Sequence, residues 1–108
     1  MKCLVTGGLG FLGSYLADEL IKRNHKVTIL DKASSKIRLN KKIKFIKADL
    51  LDKRKINLAV KNQDIVFHYA GLSGIDESMI DPLRTAEYNI IGTIRLLELC
   101  LKYKIKRF

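Results

Sequence analysis

The sequence predicts an α/β protein: a Rossmann-like, doubly wound parallel sheet, truncated to about four strands in the order 3-2-1-4, with helices on both faces. Three observations carry this. Short apolar runs alternate with helical patterns in the order strand, helix, strand, strand, helix, strand, helix, which favours a parallel sheet with right-handed crossovers. The first apolar run leads into Gly7, Gly10 and Gly13, and a helical pattern follows at once. The second run ends on an acid, Asp31.

Taken in order, "KCLVT" reads as a buried strand over residues 2–6. From Phe11 to Arg23, apolar residues recur at Leu12, Tyr15, Leu16, Ala17, Leu20 and Ile21, one face of a helix that closes on the basic "KRNHK". "KVTILD" is a β-branched strand over 26–31, and "IKFIKA" alternates apolar residues with lysine near 43–48. "DKRKINLAVKN" is a short helix with Asp52 as N-cap. "DIVFHYA" is a strand near 64–69, buried on both faces. "DPLRTAEYNIIGTIRLLELCLKYK" is the longest helix, capped by Asp81, with Pro82 in the first turn where its missing N–H costs nothing. Gly92 interrupts it at a cost of about 1 kcal/mol relative to alanine, so close packing against a neighbour is expected there. "IKRF" begins a new pattern.

The 108 residues suit one domain spanning 1–108, and 47% of them are apolar, which excludes gross disorder. "MKCLVTGG" lacks the apolar core of a signal peptide, and no run approaches the roughly 20 apolar residues of a membrane span. A soluble, cytoplasmic protein is expected. Cys3 and Cys100, both among aliphatics, read as small buried thiols. The net charge of +10 is concentrated in residues 31–55. A basic excess can serve nucleic acid. No aromatic platform is interleaved with these lysines, however, which argues against a single-strand binder.

Strand before and helix after are the context a dinucleotide fingerprint needs. Gly7 permits a tight turn, Gly10 lets backbone N–H groups approach a pyrophosphate, and Gly13 lets the helix lie close to the strand. The helix N-terminus adds positive partial charge. Asp31 can accept both ribose hydroxyls of an adenosine and would repel a 2′-phosphate, favouring NAD over NADP. It can equally be a solvated strand-end acid, and Lys32 and Lys36 are cations that could hold such a phosphate. Asp49, ending the third strand, could accept from an adenine amino group while Leu50 packs on the ring; the same spacing also suits an acid at a helix start. His68 reads as a packed core residue, with no second ligand spaced to share a metal. Asp76, Glu77 and Asp81 flank a helix start, where acids are stabilising, and are not read as an acid/base pair.

Together "VTGGLGFLGS", Leu30-Asp31, "ADLLD", "VFHYAGLSGIDES", Asp81-Pro82 and "NIIGTIRLLELC" resemble the extended short-chain dehydrogenase/reductase family. Within it they are most similar to the NAD-dependent nucleotide-sugar epimerases and dehydratases, and to the UDP-glucose 4-epimerase branch. The resemblance runs over nearly the whole chain. It implies that Phe11 and Leu12 present backbone N–H groups to the pyrophosphate, that Asp31 takes the ribose, and that Asp49 and Leu50 hold the adenine. It places Tyr69, Ala70, Gly71 and Leu72 beneath the cofactor, has Ser73 begin the loop toward substrate, and has Asn89 tie the long helix to the sheet. Where relatives carry Thr or Asn near the cofactor, this chain has Tyr88. The family's catalytic Ser/Thr and Tyr-x-x-x-Lys would follow a fifth strand that "KIKRF" leads into. No catalytic residue and no metal ligand is therefore assigned within the 108 residues, and the chain alone is expected to be inactive.

Three functions remain open from the sequence. The chain is the NAD-binding portion of a nucleotide-sugar epimerase or dehydratase, with the nucleotide sugar bound only in the intact enzyme; or a stand-alone dinucleotide-binding or subunit-pairing module; or a basic nucleic-acid binder. An apolar fourth strand left bare at the sheet edge would also invite a homodimer.

Overall fold

Strand β1 (Lys2–Thr6) lies at the centre of the sheet, and its sequence explains why: Cys3, Leu4, Val5 and Thr6 are all buried. A strand buried on both faces needs a neighbour on each side and a layer above and below. The computed structural model describes residues 1–34 and 39–108, so Lys36 lies outside the described residues. Strands β2 (Lys26–Asp31), β3 (Lys44–Lys47) and β4 (Ile65–His68) complete a parallel sheet in the order β3-β2-β1-β4. Leu4 stands opposite Thr28 on one side and Val66 on the other.

Alternation along the strands sorts the core into two layers. Cys3, Val5, Val27 and Ile29 face helix α1 (Phe11–Lys22) and pack with Ala17 and Leu20. Leu4, Leu30 and Val66 face the other side. There they meet Ile56, Ala59 and Val60 of α2 (Lys53–Val60), and Leu96 and Cys100 of a long C-terminal helix. Cys3 and Cys100 are free and buried, and burial pushes both thiols above their ordinary pKa. Asp52 caps α2 by accepting from the Lys55 N–H at 3.0 Å.

The region after β4 departs from the expected single helix. Residues Ile75–Ile80 form a separate short helix, α3, with Asp76 and Glu77 in its first turn. Asp81 then caps a second start by accepting from the Arg84 N–H, with Pro82 in the first turn of α4 (Pro82–Ala86). The helix next widens into a π-helical turn over Glu87–Gly92 before resuming as α5 (Thr93–Lys102). Such widened turns often mark functional positions. This one presses Gly92 against the sheet layer: a Cβ there would lie 2.8 Å from Leu50 Cδ2.

The C-terminal segment alters the expected bare edge. The Lys106 N–H donates to the Asp64 carbonyl, the Val66 N–H donates to the Arg107 carbonyl, and Arg107 bridges Ile65 in parallel. The start of β4 is therefore covered by the chain itself. The more prominent exposed apolar surface is a stripe on the C-terminal helix formed by Leu83, Ile90, Ile94, Leu97 and Leu101. No helix among the described residues is long and apolar enough to cross a membrane.

Among the glycines, the one with least room for a side chain is Gly13. A Cβ at that position would collide with the Gly7 carbonyl oxygen and lie 2.8 Å from Gly8 Cα. These are backbone atoms that cannot swing aside. Gly13→Ala is expected to lower the unfolding free energy by about 1–3 kcal/mol, read from the urea midpoint.

Candidate functional site

The turn from β1 into α1 is built by glycines with distinct tasks. Gly7 has φ +68° and donates its N–H to the Leu30 carbonyl at 2.8 Å, and a Cβ on it would sit 2.7 Å from Ala70 N. A side chain at Gly7 or Gly13 would thus meet the protein's own backbone. Gly10 differs. Its N–H donates to the Gly7 carbonyl at 3.0 Å, but the nearest atom to a Cβ there is that same carbonyl oxygen at 3.2 Å, with nothing else within 4 Å. Packing constrains Gly10 less severely than Gly7 or Gly13, where a Cβ would come within 2.7 Å of backbone atoms. Gly10 lines a cavity, and it is also the N-cap of α1, offering no side chain to the first turn. The opening N–H groups of a helix have no intrahelical partner. At this end they belong to Phe11, Leu12 and Gly13, while the side chains of Phe11 and Leu12 point to solvent.

The cavity brings together Gly7, Gly10, Asp31, Leu50, Gly71 and Tyr88, with Leu30, Lys32, Ala48, Ala70 and Leu72 completing its wall. Asp31 is half-buried at the end of β2. Its Oδ2 accepts from the Leu9 N–H at 3.0 Å and its Oδ1 from the Ala33 N–H at 2.9 Å. The acid is therefore more than a solvated strand end: it ties the glycine turn to β2. Each carboxylate oxygen keeps a second lone pair for another donor.

Asp49 is not on the cavity wall, although its neighbours Ala48 and Leu50 are. Its Oδ1 accepts from the Leu51 N–H at 2.8 Å and its Oδ2 accepts from the Tyr88 hydroxyl. Tyr88 is buried, with Lys32 Nζ 5.1 Å and Arg84 Cζ 5.9 Å from its ring centre. The bond to Asp49 holds the Tyr88 hydroxyl above its ordinary pKa, with burial adding to the effect. Tyr69 stands apart from the wall, with an exposed ring and its N–H donating to the Thr6 carbonyl.

Asn89 fixes the loop after β4. Its Oδ1 accepts from the Leu72 N–H at 2.8 Å and its Nδ2 donates to the Leu72 carbonyl at 2.7 Å. The long helix is thus tied to the β4 loop rather than to a strand. A Cβ at Gly71 would sit 2.8 Å from Asn89 Oδ1, so this clamp also demands a small residue below it.

His68 joins the same elements from beneath. Its Nδ1 is 2.7 Å from Thr6 Oγ1 and its Nε2 is 2.9 Å from Thr93 Oγ1. Thr93 gives its hydroxyl hydrogen to the Asn89 carbonyl, so it can only accept from His68. Nε2 therefore carries the hydrogen, and Nδ1 accepts from Thr6, whose oxygen also accepts the Ala70 N–H at 3.3 Å. All these bonds agree on one neutral tautomer. Burial holds the His68 pKa below its ordinary value of 6.5.

Two of these features escaped the sequence reading. Tyr88 forms part of the cavity wall, and its signal was an aromatic beside an asparagine on an otherwise solvent-facing turn. His68 is packed, as expected, but it is also a hub of hydrogen bonds. Its signal was a polar ring at a strand's carboxyl end, where α/β sheets place their sites.

Comparison with known proteins gives the following. The profile of the NAD dependent epimerase/dehydratase family matches residues 3–108. UDP-N-acetyl-alpha-D-glucosaminuronate decarboxylase of Bacillus cytotoxicus is 42% identical over 97% of this chain and 34% of its own length. dTDP-D-glucose 4,6-dehydratase of Dictyostelium discoideum is 39% identical over 99% of this chain and 27% of its own length. The crystal structure of Thermus thermophilus UDP-glucose 4-epimerase in complex with NAD superposes with a TM-score of 0.88 at 34% identity, over 97% of this chain and 35% of that one. The chain thus spans about a third of the length of these two curated relatives.

The His68 network sets a pH dependence. Its folded pKa is depressed, so the unfolded chain binds the proton more readily. The stability this residue contributes is present above pH 6.5 and is lost as pH falls through the lowered folded value. His68→Gln is expected to shrink the loss of stability between about pH 7.5 and pH 5, measured as the change in urea midpoint between the two.

Proposed function

The chain belongs to the NAD dependent epimerase/dehydratase family, and on that premise we propose that its cavity holds the adenosine end of NAD in a nucleotide-sugar epimerase or dehydratase. The observation that carries this is the convergence of Gly7, Gly10, Asp31, Leu50 and Gly71 on one wall at the carboxyl ends of the strands. Gly10 supports it most directly, because it lines the cavity at the start of α1 and presents no side chain there.

When bound, NAD supplies reversible hydride transfer. The chain's residues recognise it. The first-turn N–H groups at Phe11 and Leu12, with the positive end of α1, suit the pyrophosphate. The free lone pairs of Asp31 accept ribose hydroxyls, and its charge disfavours a 2′-phosphate. The enclosed part of the cavity is about 170 Å³, below the roughly 300–1,000 Å³ of a usual ligand pocket. It therefore suits one end of a dinucleotide, with the rest crossing the open rim.

Proton transfer is assigned elsewhere. The four tyrosines, Tyr15, Tyr69, Tyr88 and Tyr103, are followed four positions later by Glu19, Ser73, Gly92 and Arg107, so none makes a Tyr-x-x-x-Lys pair. The matched relatives are a decarboxylase, a dehydratase and an epimerase of nucleotide sugars. A shared region of this kind is best read as cofactor recognition.

Calorimetric titration tests the reading. NAD is expected to bind more tightly than NADP. Asp31→Ala should weaken NAD by roughly 10- to 100-fold, the worth of a charge-assisted hydrogen bond. Gly10→Val should abolish binding while leaving the thermal transition within a few degrees of wild type. Binding of neither dinucleotide by the wild type would overturn the reading. The 108 residues alone are expected to give no turnover of UDP-glucose, followed by product analysis.

A further inference from the structure

We propose that Tyr88 is the base-selecting residue of this cavity: its hydroxyl orients the Asp49 carboxylate so that it presents acceptor lone pairs to the amino group of an adenine. The inference rests on the NAD reading above and adds a residue that reading does not use.

The geometry runs from the wall outward. Tyr88 contributes the aromatic surface of the cavity, between Leu50 and Leu72, and it is buried there. Its hydroxyl reaches Asp49 across 39 positions of sequence. Asp49 is not itself on the wall, but it follows a wall residue, Ala48, and precedes another, Leu50, and its carboxylate meets the hydroxyl of a third, Tyr88. Two donors hold it, the Leu51 N–H on Oδ1 and Tyr88 on Oδ2. An ionised carboxylate accepts at about four lone-pair sites and donates none. Two sites are occupied and two remain.

This leaves a directional preference. A purine with an amino group at its six-position offers a hydrogen to the free lone pairs. A purine with an oxo group there brings lone pairs against lone pairs. The Leu51 N–H alone would leave the carboxylate free to swing about its terminal torsion, and the second bond, from Tyr88, removes that freedom. The ring and the hydroxyl thus have separable tasks: the ring closes the wall, and the hydroxyl sets the direction of the acceptor.

The test compares NAD with nicotinamide hypoxanthine dinucleotide, which carries an oxo group in place of the amino group. Wild type is expected to prefer NAD by about tenfold or more. Tyr88→Phe keeps the ring and removes the hydroxyl, and the preference should fall to about threefold or less with the thermal transition retained. A general loosening would weaken both ligands alike and leave the ratio intact. Asp49→Asn gives a second handle, because its amide can donate to the oxo group: the ratio should fall or invert. Should Tyr88→Phe fail to fold, the ratio in Tyr88→Leu, which also removes the hydroxyl, decides. NAD binding with an unchanged ratio in the folded variants overturns this inference alone. No NAD binding by the wild type overturns the cofactor reading and this inference with it.

Discussion

The backbone of the β1–α1 turn leaves no room for a side chain at Gly13, where a Cβ would strike the Gly7 carbonyl and crowd Gly8 Cα. This close approach fixes where α1 begins. Because α1 starts directly over the end of β1, its unsatisfied N–H groups open on the same side as the ends of β2 and β4. Asp31 then locks the arrangement by taking the Leu9 N–H from the turn. Opening the Gly7–Gly13 contact would lift the helix start away from the acid and leave a buried-edge N–H without its partner, at a cost of about 1–3 kcal/mol. Helix start, turn and carboxylate therefore stand or fall as one unit.

The opposite wall depends on a second unit with different physics. The β4 loop packs Ala70 and Leu72 against the core and is also held by hydrogen bonds to the π-helical turn. Asn89 grips both polar groups of Leu72, His68 links Thr6 to Thr93, and Thr93 returns to the Asn89 carbonyl. The widened turn allows Tyr88, Asn89, Gly92 and Thr93, which crowd one stretch of helix, all to reach the sheet side. One unit is steric and the other is a polar network, so they respond differently to conditions. Acid weakens the second through His68.

Local features were legible in the sequence. The apolar runs gave strands to within a residue or two, Asp52 and Asp81 read as caps, and Gly92 signalled a close neighbour that proved to be Leu50. Each depends on residues a few positions away or on a cost that a glycine must offset. The π-helical turn, the separate α3 and the Tyr88–Asp49 bond were not legible. The periodicity of "EYNIIG" is compatible with an ordinary helix, and the contacts of the wider turn, Gly92 against Leu50 and Asn89 with Leu72, join residues far apart in sequence. The partner of Asp49 is 39 positions away, beyond any spacing rule. The bare β4 edge was expected because "KIKRF" read only as the lead-in to a further strand, yet backbone pairing at Asp64 and Val66 needs only Lys106 and Arg107.

The two units differ in how freely their residues can change. Gly7 and Gly13 are dictated by backbone collisions, so any protein keeping this turn must keep them, whatever it binds. Gly10 is less tightly constrained by its own backbone, and Tyr88 and Asp49 are tied to each other by a side-chain bond rather than by a backbone collision. A region shared by a decarboxylase, a dehydratase and an epimerase cannot choose among their reactions. On the proposed cofactor reading, Gly10 bears on whether the dinucleotide fits, Asp31 on its ribose, and Tyr88 on its base through Asp49. Selectivity on that reading is graded along the cavity, from steric constraint at the helix start to hydrogen-bond direction at the Tyr88 side.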